Sequence, residues 1–210
     1  MFRSFSTPSQ QELLEHVILT AYVAEFAEWD NHAHVERVRR YSYILAKETD
    51  LEHDEASLIS YASMLHDVGK IALPAHLLQK TAKLTSDEYR IAERHTVEGG
   101  RLLSGSGSPL LQTAEIISRT HHERWDGSGY PEGLRGEAIP LSGRIVALAD
   151  VFDALTTKRP YKTAIAPEAA FDLIKSSSGT LFDPALVSIF VGKFKDFKSV
   201  LRMTDEAVGD

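Results

Sequence analysis

His121-His122-Glu123-Arg124-Trp125-Asp126-Gly127-Ser128-Gly129-Tyr130-Pro131 joins two unlike chemistries in one short stretch. Adjacent imidazoles can hold a metal, and a glycine-rich turn lets the backbone approach a ligand closely. The stretch also marks a change of pattern. Residues 110–121 before it are apolar at helical period, whereas 126–140 carry Gly127, Gly129, Gly133, Gly136 and two prolines. An irregular segment of that length inside a compact domain is usually functional or disordered. Helical periodicity resumes over 142–155.

Working outward, the same periodicity predicts helices over 10–29 (Leu13, Leu14, Val17, Ile18, Ala21, Tyr22), 34–48 (Val35, Val38, Tyr41, Ser42, Leu45) and 55–66 (Ile59, Ala62, Met64, Leu65). Thr85 and Glu88 are spaced as a capping box that opens a helix through Gly99. Residues 167–175 and 184–194 are the last predicted helices, and the tail after Arg202 is expected to fray. Strand signals are few, so the expected class is all-α: a single helical-bundle domain with one long irregular Gly/Pro-rich loop.

The chain has 210 residues and 43% hydrophobic content, enough for one compact domain with a core. It has no cysteine, which removes disulfides and thiolate metal sites. A metal must therefore bind imidazole and carboxylate, which favours iron, manganese, zinc or nickel. The absence of cysteine fits a cytoplasmic protein. A net charge of −7 argues against binding a nucleic acid polymer. No run of 18 apolar residues exists, so no membrane segment is expected, and MFRSFSTPSQ lacks the apolar core of a signal peptide.

Five histidines (His34, His66, His95, His121, His122) and the acids Asp67, Asp150 and Asp153 point to one polynuclear metal site, if the fold brings them together. Asp30 and His34 are spaced i, i+4 and share a face if that helix starts early. Adjacent residues do not face one way on a helix, so His66-Asp67 and His121-His122 must sit at helix ends or serve different parts of the site. Neighbouring ligands pointing at different metals would suit a bridged cluster. His16, His32, His53 and His76 are taken as solvated.

His66-Asp67-Val68-Gly69-Lys70, then His95, then His121-His122-Glu123-Arg124 with Asp126-Gly127-Ser128-Gly129-Tyr130-Pro131, then Asp150-Val151-Phe152-Asp153-Ala154-Leu155 with Arg159-Pro160-Tyr161-Lys162, resembles the HD-GYP domain. This is the branch of the HD phosphohydrolase superfamily that cleaves the bacterial second messenger cyclic di-GMP. The resemblance runs from about Asp30 to Lys162 and weakly on to Phe182-Asp183-Pro184. It implies the HD-type helical bundle. It implies metal ligation by His34, His66, Asp67 and Asp150, and a second metal on His95, His121 and His122. Asp67 would bridge, and Lys70 would contact the scissile phosphate. Asp30 stands where some members carry a glutamate that completes a third site. The implied cofactors are two or three divalent metals, iron or manganese. Gly129, Tyr130, Asp153, Arg159 and Lys162 resemble the substrate-contacting set.

The expected reaction is metal-dependent hydrolysis of cyclic di-GMP to pGpG and on to GMP, by a hydroxide bridging the metals beside Asp67. Lys70 would neutralise a non-bridging oxygen, although a lysine after Gly69 also suits a helix C-terminus. Glu123 and Arg124 fit either an ion pair supporting His122 or ligand contact. The competing functions are a catalytically weak cyclic di-GMP receptor and another HD-type nucleotide phosphohydrolase. The expected organisation is a lead-in and helix over 1–29, the catalytic domain over 30–200 and a tail over 201–210. About 30 residues precede Asp30, too few for a sensor domain, so the expected input is a signalling protein partner, the N-terminal helix or substrate level.

Overall fold

Ten α-helices and no β-strand account for the regular structure of a computed structural model that describes residues 8–26, 32–158 and 163–208. In chain order they are α1 (Pro8–Phe26), α2 (His32–Ala46), α3 (His53–Ala62), α4 (Ala75–Leu78), α5 (Ser86–Glu93), α6 (His95–Leu103), α7 (Pro109–Thr120), α8 (Leu141–Thr156), α9 (Pro167–Ser176) and α10 (Pro184–Val208). Short 3-10 segments at Ser63–Leu65 and Val68–Ala72 follow α3, and a third at Gly136–Ala138 lies in the long loop.

Helix α2 is the centre of the bundle and packs against α1, α3, α8 and α10. Its i, i+3, i+4 stripe of Val35, Val38, Tyr41, Ser42 and Leu45 is buried, as the periodicity predicts. The Tyr41 ring stacks on Phe197 of α10, with centroids 4.6 Å apart, and meets Phe152 of α8 edge-on at 5.2 Å. Fully burying each such ring stabilises the fold by about 2–3 kcal/mol, so this aromatic knot fixes α2, α8 and α10 relative to one another. Those helices carry His34, Asp150 and Asp153.

Several helix boundaries differ from expectation: α3 ends at Ala62, and 63–65 tighten into a 3-10 turn, short of the predicted His66. The segment opened by the Thr85–Glu88 capping box is not one helix to Gly99. The box forms, with Thr85 Oγ1 accepting from the Glu88 amide at 3.3 Å, but the ladder tightens at Arg94, whose amide donates to Ile91 O, three residues back. His95 therefore opens a separate helix. Helix α10 also runs past Phe194 to Val208, because Phe197, Val200 and Leu201 continue the buried stripe.

A second packing device sets the site. A Cβ on Gly69 would lie 2.0 Å from His95 O and 2.4 Å from the Gly99 amide nitrogen. One on Gly99 would lie 2.2 Å from Ser118 Oγ. Only glycine lets the segment after Asp67, helix α6 and helix α7 approach at this distance. That approach is what brings Asp67, His95 and His121 together.

Candidate metal centre and substrate cleft

The histidine pairs sit where chain geometry requires. His66 closes the 3-10 turn after α3, Asp67 precedes the next 3-10 segment, and His121 caps the C-terminus of α7. Off the helix ladder, side chains are free of helical spacing: His66 and Asp67 turn to different groups, whereas His121 and His122 converge on one, with ring centroids 4.1 Å apart. Asp67, His95, His121 and His122 form one group of potential ligand atoms, and His34, His66 and Asp150 form another. Within each group every atom lies within 4.8 Å of the others. Asp67 links the two. Its Oδ1 is 3.2 Å from His95 Nε2 and 3.5 Å from His121 Nε2, and its Oδ2 is 3.2 Å from His66 Nε2.

The imidazole tautomers make these groups fit for cations. His66 Nδ1 lies 2.8 Å from Ser63 O, and His95 Nδ1 lies 2.7 Å from Ala92 O. His121 Nδ1 lies 3.1 Å from both Ile117 O and Ser118 O, and His34 Nδ1 lies 2.8 Å from Asp153 Oδ2. Each acceptor requires a proton on Nδ1, so Nε2 presents a lone pair inward. His95 Nε2 and His121 Nε2 stand 3.4 Å apart. Two facing lone pairs repel unless a cation sits between the groups. Asp67 Oδ1 is buried and accepts no hydrogen bond, an expensive condition for a carboxylate oxygen that a metal would relieve. The donor set is five imidazoles with Asp67 and Asp150, and it suits a borderline divalent cation.

Protonation follows the same logic. Burial pushes the His95 imidazole down to about 4, with Asp67 opposing and His121 adding. Burial, then His121 and His95, holds His122 well below the ordinary histidine range. Burial alone would raise the Asp67 carboxyl, but Lys70 and His66 outweigh it and hold it well below the carboxylate range. His95, His122 and Asp67 are thus in their ligating forms near neutrality. Lys70 Nζ is 2.7 Å from Asp67 Oδ2, at the cleft rather than on an open surface.

Asp153, expected beside the substrate, is elsewhere. It is fully buried and accepts from His34 Nδ1 at 2.8 Å, from Arg37 Nε at 2.5 Å and from Arg37 Nη2 at 3.1 Å. Burial would raise its carboxyl, and His34 and Arg37 outweigh that and lower it. It orients His34 from behind the metal group. Asp150, three residues earlier on α8, is the acid that faces the centre, with Oδ1 3.7 Å from His34 Nε2.

The long loop is ordered by a residue whose role the pattern does not reveal. The buried Glu123 carboxylate accepts from the backbone of Glu132 at 2.8 Å and of Leu134 at 3.0 Å. It pins the loop instead of pairing with Arg124. The Tyr130 amide donates to His122 O at 3.2 Å, and the Tyr130 ring stacks on His122 with centroids 4.8 Å apart. Burial, with Tyr89 adding, raises the Tyr130 phenol. The Tyr130–Pro131 peptide is cis. Gly129 presses its backbone onto His122–Arg124 and contributes shape rather than a side chain. Asp67, Lys70, His95, His122, Tyr130 and Asp150 line one wall of a cleft of about 320 Å³. The rest of the lining comes from Leu73, α4, Leu84 and α5, none of which carries a ligand or substrate motif. Asp30, Arg159 and Lys162 lie outside the described residues.

A profile of the HD domain family matches residues 20–186. A cyclic di-GMP phosphodiesterase of Thermotoga maritima is 42% identical over 198 residues, which cover 94% of this chain and 54% of that protein. The cyclic di-GMP phosphodiesterase response regulator RpfG of Xanthomonas campestris pv. campestris is 46% identical over 167 residues, 80% of this chain and 44% of that one. The crystal structure of a cyclic GMP-AMP specific phosphodiesterase of V. cholerae superposes with a TM-score of 0.63 at 20% identity, covering 90% of this chain and 53% of that one, and shows the shared fold. The chain thus spans about half the length of the curated relatives it matches. No helix among the described residues is long and apolar enough to cross a membrane.

Proposed function

Since this chain belongs to the HD domain family, in its HD-GYP branch, we propose that it hydrolyses cyclic di-GMP to pGpG and on to GMP in a metal-dependent reaction. The observation that carries this is Asp67, whose two carboxylate oxygens face two separate histidine groups. His34, His66 and Asp150 would hold one ion, His95, His121 and His122 the other, and Asp67 both. Divalent ions bound there, iron or manganese, would polarise the phosphoryl oxygens and acidify a water. Asp30 would complete a third site.

The chain's own groups do the rest. Asp153 and the backbone acceptors hold the protons of His34, His66, His95 and His121 on Nδ1, so that Nε2 is left to ligate. Lys70 Nζ, poised 2.7 Å from Asp67 Oδ2, donates to a non-bridging phosphate oxygen as negative charge builds. Water adds to phosphorus, the P–O3′ bond breaks, and one proton ends on the 3′-oxygen. The Tyr130 ring borders the ligand where it stacks on His122. Arg159 and Lys162 would serve the guanine and the phosphate, and upstream control would come from a signalling protein partner.

The test is chromatography of products from cyclic di-GMP with anaerobically purified protein of measured iron and manganese content. Expected is pGpG followed by GMP, lost in Asp67→Asn together with bound metal. Tight binding of cyclic di-GMP by metal-loaded protein with no product would make it a receptor instead.

A further inference from the structure

The part of the cleft lining that carries no metal ligand has no part in the chemistry above, and its composition is specific. Leu73, Leu77, Leu78 and Leu84 with Tyr89 make an apolar face, and Glu93 is the carboxylate on that side. Tyr89 is 47% exposed although it borders the cleft, so a flat ligand would find an uncovered ring there. The Tyr89 and Tyr130 rings lie 6.3 Å apart at 81°. Glu93 is half-buried one turn along α5 from Tyr89, and among the described residues no cation pairs with it. It is close enough to Tyr130 to help raise that phenol. The cleft holds about 320 Å³, at the small end for ligand sites, which suits one base and its phosphate rather than a whole cyclic dinucleotide.

We propose that this wall is a purine subsite in which Glu93 selects guanine over adenine. The inference rests on the proposed cyclic dinucleotide hydrolysis and adds its base specificity. Guanine presents N1–H and N2–H side by side, and a carboxylate accepts both through its two oxygens. Adenine presents a lone pair at N1 beside the N6 amine, so one carboxylate oxygen would face that lone pair. A site built around such a pair rejects the base that cannot complete it. The leucine face and the Tyr89 ring take the base plane, while Lys70 and the metal ligands in the same cleft take the phosphate.

The experiment compares kcat/KM for cyclic di-GMP and cyclic di-AMP in manganese-loaded wild type, Glu93→Ala and Glu93→Gln, with bis(p-nitrophenyl) phosphate as a base-free substrate. Expected is a fall of about 10- to 100-fold in the guanine-to-adenine ratio for Glu93→Ala, carried mainly by KM. The bis(p-nitrophenyl) phosphate rate, melting temperature and metal content stay unchanged. Glu93→Gln is expected to favour adenine, since an amide both donates to N1 and accepts from N6. An unchanged ratio overturns the proposal, as does loss of metal or of the base-free rate, which would place Glu93 in the metal centre. Should wild type cleave neither ring, the proposed function fails separately. Competition by GMP and AMP against bis(p-nitrophenyl) phosphate then still tests the subsite, and equal inhibition by both refutes it.

Discussion

Gly129→Ala is the sharpest single perturbation of this site. A Cβ at Gly129 would lie 2.4 Å from the Arg124 amide nitrogen, 2.5 Å from His122 O and 2.6 Å from Glu123 Cα. All three are backbone atoms of the segment that carries a metal ligand and the loop anchor, so no side chain can swing away. Ordinary contact begins at 3.4 Å, and the loop must therefore retreat by about 1 Å. Tyr130, the next residue, moves with it, losing its 3.2 Å hydrogen bond to His122 O and its stacking on the His122 ring. A displacement of about 1 Å at a positioned group costs on the order of 100-fold in rate. The expected result is a drop of that size in kcat/KM for cyclic di-GMP in manganese-loaded protein, with metal content retained, since His95, His121 and Asp67 are untouched. Gly107→Ala is the control: nothing lies within 4 Å of its Cβ, so rate and melting temperature should not move. Gly127→Ala separates strain from displacement. Gly127 has φ +82° but no Cβ contact under 3.4 Å, so it should lose about 1–2 kcal/mol of stability and much less activity. A Gly129→Ala protein with wild-type kcat/KM would refute the loop packing described here.

Asp153→Asn leaves Arg37 buried beside a neutral amide and is expected to cost about 3–5 kcal/mol in urea denaturation and 10- to 100-fold in metal affinity; destabilisation with unchanged affinity would reduce Asp153 to a structural ion pair. In chelated protein the His95 imidazole sits at about 4 against about 6.5 unfolded. Between those values the unfolded chain binds a proton that the folded one does not, so stability should fall as pH drops through that window, by up to about 3 kcal/mol. Asp67, held low, loses its own contribution only below the usual carboxylate range. Urea midpoints at pH 7 and pH 5 check this, and equal midpoints contradict it. Manganese at 100 times its dissociation constant should stabilise by about 2.7 kcal/mol and raise the melting temperature by roughly 5–10 °C, an increase that Asp67→Asn should abolish.

Helix by helix, much of this molecule was legible from local pattern. The stripe on α2, the capping box at Thr85 and the ends of α7 follow from periodicity and polar punctuation, which act over three or four residues. The kinds of metal donor were legible too, because a chain without cysteine has only imidazole and carboxylate to offer. Asp150 and Asp153 show where local pattern stops. They lie three residues apart on α8 and share a face in outline, and only the seating of α8 against α2 turns one toward the centre and the other onto Arg37. Glu123 reaches Leu134 eleven positions on, and Glu93 joins a wall assembled from α4, α5 and the residues between them. Sequence alone determined which groups were available and on which helices they rode. Tertiary packing decided which of them meet, because burial, lone-pair direction and cleft shape depend on contacts between residues far apart in the chain, which no local periodicity encodes.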